Sequence, residues 1–374
     1  MRFATVVLFS LFALGCQLEQ SGPLNFRPDD YPALLSEWQL MEHDGQHLQI
    51  QEDVLPYDLR TPLFSDYALK LRTVWMPAGT SAIYNSSKTF DFPVGTIISK
   101  TFYYPRDPEI LDAVLRVETD IHGFADNGFD LSAVRLIETR LLVRQETGWD
   151  ALPYVWNSEQ TDAKLQLTGA IQRLKMRDSA ELGKPPIEFA YIVPNQNECA
   201  GCHAVDQNDG QLHPIGPASR HLDKTFAHYP EGPDAQLQHW AARGLLSDLP
   251  ANTIAGSLEG TEQKARAYLD INCGHCHQPG GSADTSGLFL HAAETSLLKM
   301  GVCKPPVAAG RGTGGHSYSI VPGAPDESIL LLRMNSKELD IKMPELGRSL
   351  VHSEGVELMR SWIEQLHGEC AAPG

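Results

Sequence analysis

Hydrophobic and polar residues alternate with period two through much of the first half of the chain. Ile137, Thr139, Leu141 and Val143 alternate with Glu138, Arg140 and Leu142. Leu115, Val117, Thr119 and Ile121 alternate with Arg116, Glu118 and Asp120. Successive strand side chains point to opposite faces, so both runs predict half-buried strands. Thr96 to Tyr104 is β-branched and aromatic, Leu165 and Leu167 mark a short strand, and Glu188 to Val193 reads as a last one. Turn residues punctuate these runs at Pro77-Ala-Gly79, Pro93-Val-Gly95, Asp126-Asn-Gly128 and Gly148. Residues 31–190 therefore predict an antiparallel sandwich or curved sheet of roughly eight strands. Trp75, Tyr103, Tyr104, Trp149, Tyr154 and Trp156 are expected in its core rather than around a ligand.

After Pro194 the period changes. Asn195 or Asn197 can cap a short helix. Thr261 to Ile271 places Ala265, Tyr268 and Leu269 on one helical face, and Val356, Met359, Ile363 and Leu366 recur at helical spacing beside Trp362. Ser353 suits the N-cap of that last helix and Glu354 its first turn. Leu237 to Leu246, with Trp240, reads as a similar closing helix.

Two of the helical stretches carry Cys-x-x-Cys-His: Cys199-Ala-Gly-Cys202-His203 and Cys273-Gly-His-Cys276-His277. This is the attachment pattern of c-type haem. Two cysteines one helical turn apart can form thioethers to one macrocycle, and the following histidine lies where a proximal iron ligand is needed. A zinc site built from the same four cysteines needs no histidine after each pair. A dithiol redox motif needs a βαβ setting that neither stretch has. Two haem c groups are the expected cofactors, with His203 and His277 as proximal ligands.

The expected architecture is multidomain, a mostly-β sandwich-like N-terminal domain followed by two all-α cytochrome c-type units. The divisions read as a signal peptide over 1–15, a tether over 16–30, the β-rich domain over 31–190, a trimmed first unit over 191–255 and a second over 256–374. For the second haem the distal ligand is expected to be Met343, in Lys342-Met-Pro-Glu-Leu-Gly347, which precedes Trp362 by 19 residues. Pro344 favours an extended Met343, suited to a loop over a haem face. His221 precedes Trp240 by the same 19 residues and is the expected distal ligand of the first haem, with His213 as second candidate. A histidine on one iron and a methionine on the other would set the two potentials apart. Gly310-Arg-Gly312-Thr-Gly-Gly315 matches a dinucleotide-loop string but lacks the strand–turn–helix setting.

The N-terminus reads as an export signal. Arg2 is followed by an apolar run from Phe3 to Leu14, and Ala13-Leu-Gly-Cys16 resembles a lipoprotein cleavage box with Cys16 as the lipidated residue; an ordinary cleaved signal is the alternative. The expected location is a lipid anchor, most simply in the outer membrane and facing the periplasm or the cell exterior, or else soluble in the periplasm. Of seven cysteines, Cys303 and Cys370 remain, and an oxidising compartment predicts that they pair. The net charge of −17 and the lack of a basic cluster exclude an ordinary nucleic-acid binder. No catalytic triad or phosphate loop is evident.

Together, Leu55-Pro-Tyr-Asp-Leu, Thr61-Pro-Leu-Phe-Ser-Asp-Tyr-Ala, Phe90-Asp-Phe-Pro-Val-Gly, Tyr154-Val-Trp-Asn, both haem motifs and Lys342-Met-Pro-Glu-Leu-Gly resemble a family of exported bacterial dihaem c-type cytochromes with a β-rich N-terminal domain. The resemblance covers nearly the whole mature chain and implies haem-mediated electron transfer with a periplasmic or extracellular redox protein. A dihaem peroxidase-like enzyme, with one open iron and an acid–base group beside it, is the rival expectation.

Overall fold

The computed structural model describes residues 23–372, apart from 25, 119–122, 205, 207–209, 254–255 and 308–309. The export signal and Cys16 lie outside the described residues, as do Thr119 and Ile121 of one expected strand. Among the described residues no helix is long and apolar enough to cross a membrane.

The main sheet has six antiparallel strands: β1 (Leu55–Tyr57), β2 (Leu69–Trp75), β3 (Ile97–Pro105), β4 (Val134–Gln145), β5 (Gly148–Trp156) and β6 (Ala163–Leu165). Their order is β6-β5-β4-β3-β2-β1. A second sheet of three strands, Ala113–Arg116, Ala170–Asp178 and Ile187–Val193, packs Leu174, Met176, Tyr191 and Val193 against Phe102, Tyr104 and Ile137. A smaller four-stranded sheet packs into the same core, its Phe129 ring 4.6 Å from that of Tyr103. Tyr103, Tyr104, Trp149, Tyr154 and Trp156 are buried in this body, and Trp75 is half-buried. The Trp38 indole donates to the Tyr154 hydroxyl at 2.7 Å, which in turn donates to Pro32 O at 2.9 Å. Such partners make burial of a polar ring tip affordable in free energy.

The alternation in β4 does not divide core from solvent. Ile137, Thr139, Leu141 and Val143 are buried, but so is Glu138, while Arg140 and Leu142 are half-buried. Both faces are covered, one by the hydrophobic core and the other by the second sheet and the helical segment.

The expectation of two all-α cytochrome c-type units is overturned. The chain is mixed throughout, with more strand than helix. Among the described residues the six α-helices are α1 (Gln196–His203), α2 (Ser219–Leu222), α3 (Gln236–Ala242), α4 (Gly260–Leu269), α5 (Ile329–Asn335) and α6 (Ser353–Glu364). The first three are too short to bury a core among themselves. Instead Leu222, Phe226, Tyr229, Leu237, Trp240 and Leu246 join the same core as Tyr57, Phe90 and Phe92. Trp240 meets Tyr57 and Phe90 edge-on at 5.5 and 6.2 Å. Leu246–Ser247 even pairs in parallel with Ala82–Ile83. The segment after the first motif is thus part of the β body.

Residues 256–374 do have a small core of their own, where Ala265, Tyr268 and Leu269 of α4 meet Met359, Trp362 and Ile363 of α6. Between these helices the chain is largely irregular, with short 3-10 turns and α5. Gly310–Thr313 is one such turn and no dinucleotide loop. Cys303 and Cys370 are disulfide-bonded, tying this irregular stretch to the C-terminal segment. Helix α6 starts at Ser353, with His352 rather than Ser353 in the capping position.

The strap from Thr61 to Ala68 joins the two bodies. Asn272 accepts from Phe64 N at 2.8 Å and donates to Pro62 O at 3.2 Å. Asp66 accepts from Ser349 N and Leu350 N, both at 2.7 Å. The Phe64 ring stacks on His352 at 4.2 Å. At the other junction Asp58 bonds Arg72 and Lys224, each at 2.9 Å, while its backbone N–H and C=O pair with the Gln236 side chain. Asp58 is 5% exposed. Replacing Asp58 with Ala leaves the Arg72 guanidinium buried without its carboxylate. We expect a loss of about 3–5 kcal/mol, read as a lowered urea midpoint of the full chain.

Candidate functional site

The first motif lies on α1. Asn195 and Glu198 cap the helix reciprocally, the Asn195 side chain accepting from Glu198 N and the Glu198 carboxylate from Asn195 N, both at 2.9 Å. Cys199 and Cys202 stand one turn apart and are free thiols. His203 closes the helix, and its Nδ1 donates to His213 O at 2.7 Å. The second motif follows α4 through a π turn over Asp270–Gly274. Cys273 and Cys276 are also free, and His277 Nδ1 donates to Leu288 O at 3.3 Å.

The two motifs therefore share one device. A backbone carbonyl ten or eleven residues downstream fixes the histidine tautomer and ring orientation, leaving Nε2 with its lone pair available to a metal. Burial holds the His203 pKa down to about 3 and lowers that of His277 as well. After burial, the strongest influence on His203 is the nearby Lys100 cation. Both imidazoles are neutral near pH 7, the form that binds a metal.

A cleft opens on each motif. The one beside Cys273 and His277 encloses about 1070 Å³, part of it open to solvent, against Leu288, Leu290, Ile320 and Leu330. The one beside Cys199, Cys202 and His203 encloses about 1240 Å³, between α1 and the face of the main sheet. Phe64, Asn272, Pro344, Leu346 and Gly347 line both clefts, so the two are neighbours.

The motifs touch at their second cysteines. Cys276 Sγ donates to Gly201 O at 3.2 Å, and Ser282 Oγ donates to the same carbonyl at 2.9 Å. Cys202, His275 and Cys276 bring their sulfur and ring-nitrogen atoms within 4.8 Å of one another. A hydrogen bond between Cys202 and Cys276 pushes the first thiol up and the second down. A glycine in each motif sits in close quarters. A Cβ on Gly274 would lie 2.9 Å from His291 Cα, and one on Gly201 would press the Leu346 side chain at 3.1 Å.

The donor set fits a c-type haem at each motif: two free thiols one turn apart, a neutral histidine with its outer nitrogen fixed, and a largely apolar cleft. Cys199 and Cys273 line different clefts, so the four cysteines do not converge as a single zinc site would require.

Met343 lines the second cleft. Met343 N donates to Arg333 O at 3.0 Å and Met343 O accepts from Arg348, so its loop is fixed at both sides; the Met343–Pro344 bond is cis. Met300 and Met334 also face this cleft but are buried core residues, and Met300 sulfur already accepts from Arg266. Met359 is fully buried and does not line the cleft.

His221 is not placed at the first cleft. It is 5% exposed, and its Nε2 lies 3.4 Å from Asp270 Oδ2. His213 contributes its carbonyl to His203, and its ring does not line the cleft either. The spacing argument failed because it took Trp240 as the counterpart of Trp362. Trp240 instead belongs to the core of the β body, so residues counted back from it have no fixed relation to a cleft.

Sequence reading also missed the wall facing α1. Tyr57, Arg72, Lys100, Arg140 and Pro153 are cross-strand neighbours in register from β1 to β5, and all line the first cleft. The signal was present: Lys100 stands between Ile98 and Phe102 on one strand face, a lone cation in an apolar row. Burial, then Arg140 and Arg72, bring the Lys100 pKa down to about 7.

Comparisons with protein-family models, with curated proteins and with solved structures find no match to the chain. The nearness of Cys202 and Cys276 has a chemical consequence. In protein produced without haem attachment and oxidised in air, we expect a Cys202–Cys276 disulfide. Non-reducing peptide mapping should show that cross-link in preference to Cys199–Cys202 or Cys273–Cys276.

Proposed function

We propose that this protein is a dihaem c-type cytochrome that carries electrons between redox partners. One observation carries the reading: two Cys-x-x-Cys-His motifs, far apart in sequence, lie side by side with their histidines fixed alike and a cleft beside each. Cys199 and Cys202 would hold one haem and Cys273 and Cys276 the other. His203 and His277 would be the proximal ligands and Met343 the distal ligand of the second. Each group, when attached, supplies a one-electron iron couple.

The protein's own contribution is positional. The carbonyls of His213 and Leu288 keep each Nδ1 protonated, so each Nε2 presents its lone pair. Leu288, Leu290, Ile320 and Leu330 give the second site an apolar wall, which would favour the less charged, reduced state of a group bound there. With Cys202 and Cys276 so near, groups attached there would lie close enough to exchange electrons within one molecule. The partner would be a periplasmic or extracellular redox protein, met by a chain exported and anchored through lipid on Cys16. No nucleic-acid role is proposed for a chain of charge −17.

The cationic wall of the first cleft favours one second reading, a peroxidase-like enzyme whose first iron is open and faces Arg72, Lys100 and Arg140. The experiment for the main reading uses protein matured in a host that attaches haem. Intact mass and haem absorbance should give two haems per chain, and one per chain after Cys273→Ala with Cys276→Ala. Wild-type protein without covalent haem would sink the proposal. Replacing Met343 with Ala should keep two haems, lower one reduction potential and leave the other nearly fixed; equal shifts in both would remove Met343 from the second site.

A further inference from the structure

The structure leaves the first motif without the distal histidine that sequence spacing suggested, and its cleft offers few donors. Arg72 and Arg140 have no lone pair to give and are already paired, Arg72 with Asp58 at 2.9 Å and Arg140 Nε with Glu138 at 2.7 Å. Glu198 is committed to the helix cap, the Ser65 hydroxyl to Phe64 O, and Asn272 to Phe64, Pro62 and Tyr268. The Tyr57 phenol stands at the far end of the cross-strand row and stays protonated in its buried setting. His275 packs against the sulfurs of Cys202 and Cys276, at the attachment edge, and its Nδ1 is sealed within the protein. A sixth ligand has to stand over the macrocycle's centre, facing the proximal histidine.

Lys100 is the lining side chain that remains. It sits at the middle of the row, between Arg72 and Arg140 in register, on the sheet wall that faces α1. Among the described residues its ammonium has no hydrogen-bonding or carboxylate partner, and it lies 5.1 Å from the centre of the Phe102 ring. The two flanking cations are neutralised by Asp58 and Glu138, so only the central one remains uncommitted. A buried charge without a partner is costly. Coordination removes that cost, since the amine gives its proton to water and its lone pair to the metal.

We propose that Lys100 is the sixth ligand of the iron at the first motif. The proposal rests on the dihaem reading above. It makes that iron six-coordinate through a histidine and a lysine, and so argues for a carrier against the peroxidase-like alternative.

The test is electron paramagnetic resonance with near-infrared magnetic circular dichroism on the oxidised, haem-loaded full chain, with haem counted on each sample. Wild type should show two low-spin haems, one with the charge-transfer band of an amine ligand. Lys100→Arg keeps the charge but cannot coordinate; it should retain two haems and turn one of them high-spin in stoichiometric amount. Added imidazole should return that haem to low spin. Lys100→Ala should behave likewise, and His221→Ala should leave both signals unchanged. A Lys100→Arg protein with the wild-type low-spin spectrum would overturn the assignment and reduce Lys100 to a wall charge. A stoichiometric high-spin haem in wild type would also overturn it. Absence of haem from wild type is a different result, and would remove the dihaem reading itself.

Discussion

The strap from Thr61 to Ala68 is the constraint on which the arrangement of both motifs depends. It grips the second motif through Asn272, the residue directly before Cys273, and the approach to α6 through Asp66, Ser349 and Leu350. The strap leads directly into β2, so these bonds fix the second motif relative to the main sheet. The first motif is fixed to the same sheet by the packing of α1 on β5. The contact of Cys276 with Gly201 O is thus set by two anchorages to one rigid body. Neither motif needs a long interface with the other.

The same body supplies charge where apolar walls alone would not suffice. Arg72 and Arg140 each carry a buried or nearly buried carboxylate partner, and Tyr191 donates to Glu138 as well, at 2.8 Å. Arginine suits such flanking roles because its planar fork pairs with a carboxylate and never releases its proton. Lysine, a point charge that can become a neutral amine, has a different capability at the centre of the row. The acidity of the whole chain gives no hint of this local reversal of sign.

Much of the organisation was legible in the residues. The motifs carry their own geometry, and of the two candidate caps, Asn195 and Asn197, the first starts α1. The α6 periodicity read through because a long element with one committed face has few alternatives, and β4 was legible as a strand though not in which faces it buries. What failed were inferences that assumed autonomy. Short helices such as α2 and α3 look like a small helical unit in one dimension, yet have too little apolar surface to fold alone. Their burial partners, Tyr57 and Phe90, lie well over a hundred residues earlier. The polar residues of β4 read as solvent-facing because nothing local shows that a second sheet and a cleft cover them. The donors around the first motif come from strands, whose register no local pattern reveals.

Pro344, Leu346 and Gly347 form a single wall with two sides, one toward each cleft. The methionine beside them belongs to the second site, while Leu346 presses on Gly201 of the first. This loop therefore acts as a party wall between the two clefts. A change of residue there alters solvent access and polarity on both sides at once. The two sites are bound to drift together through sequence change, and a variant that tunes one in isolation has to be sought elsewhere, in the sheet or in the irregular stretch around Leu288.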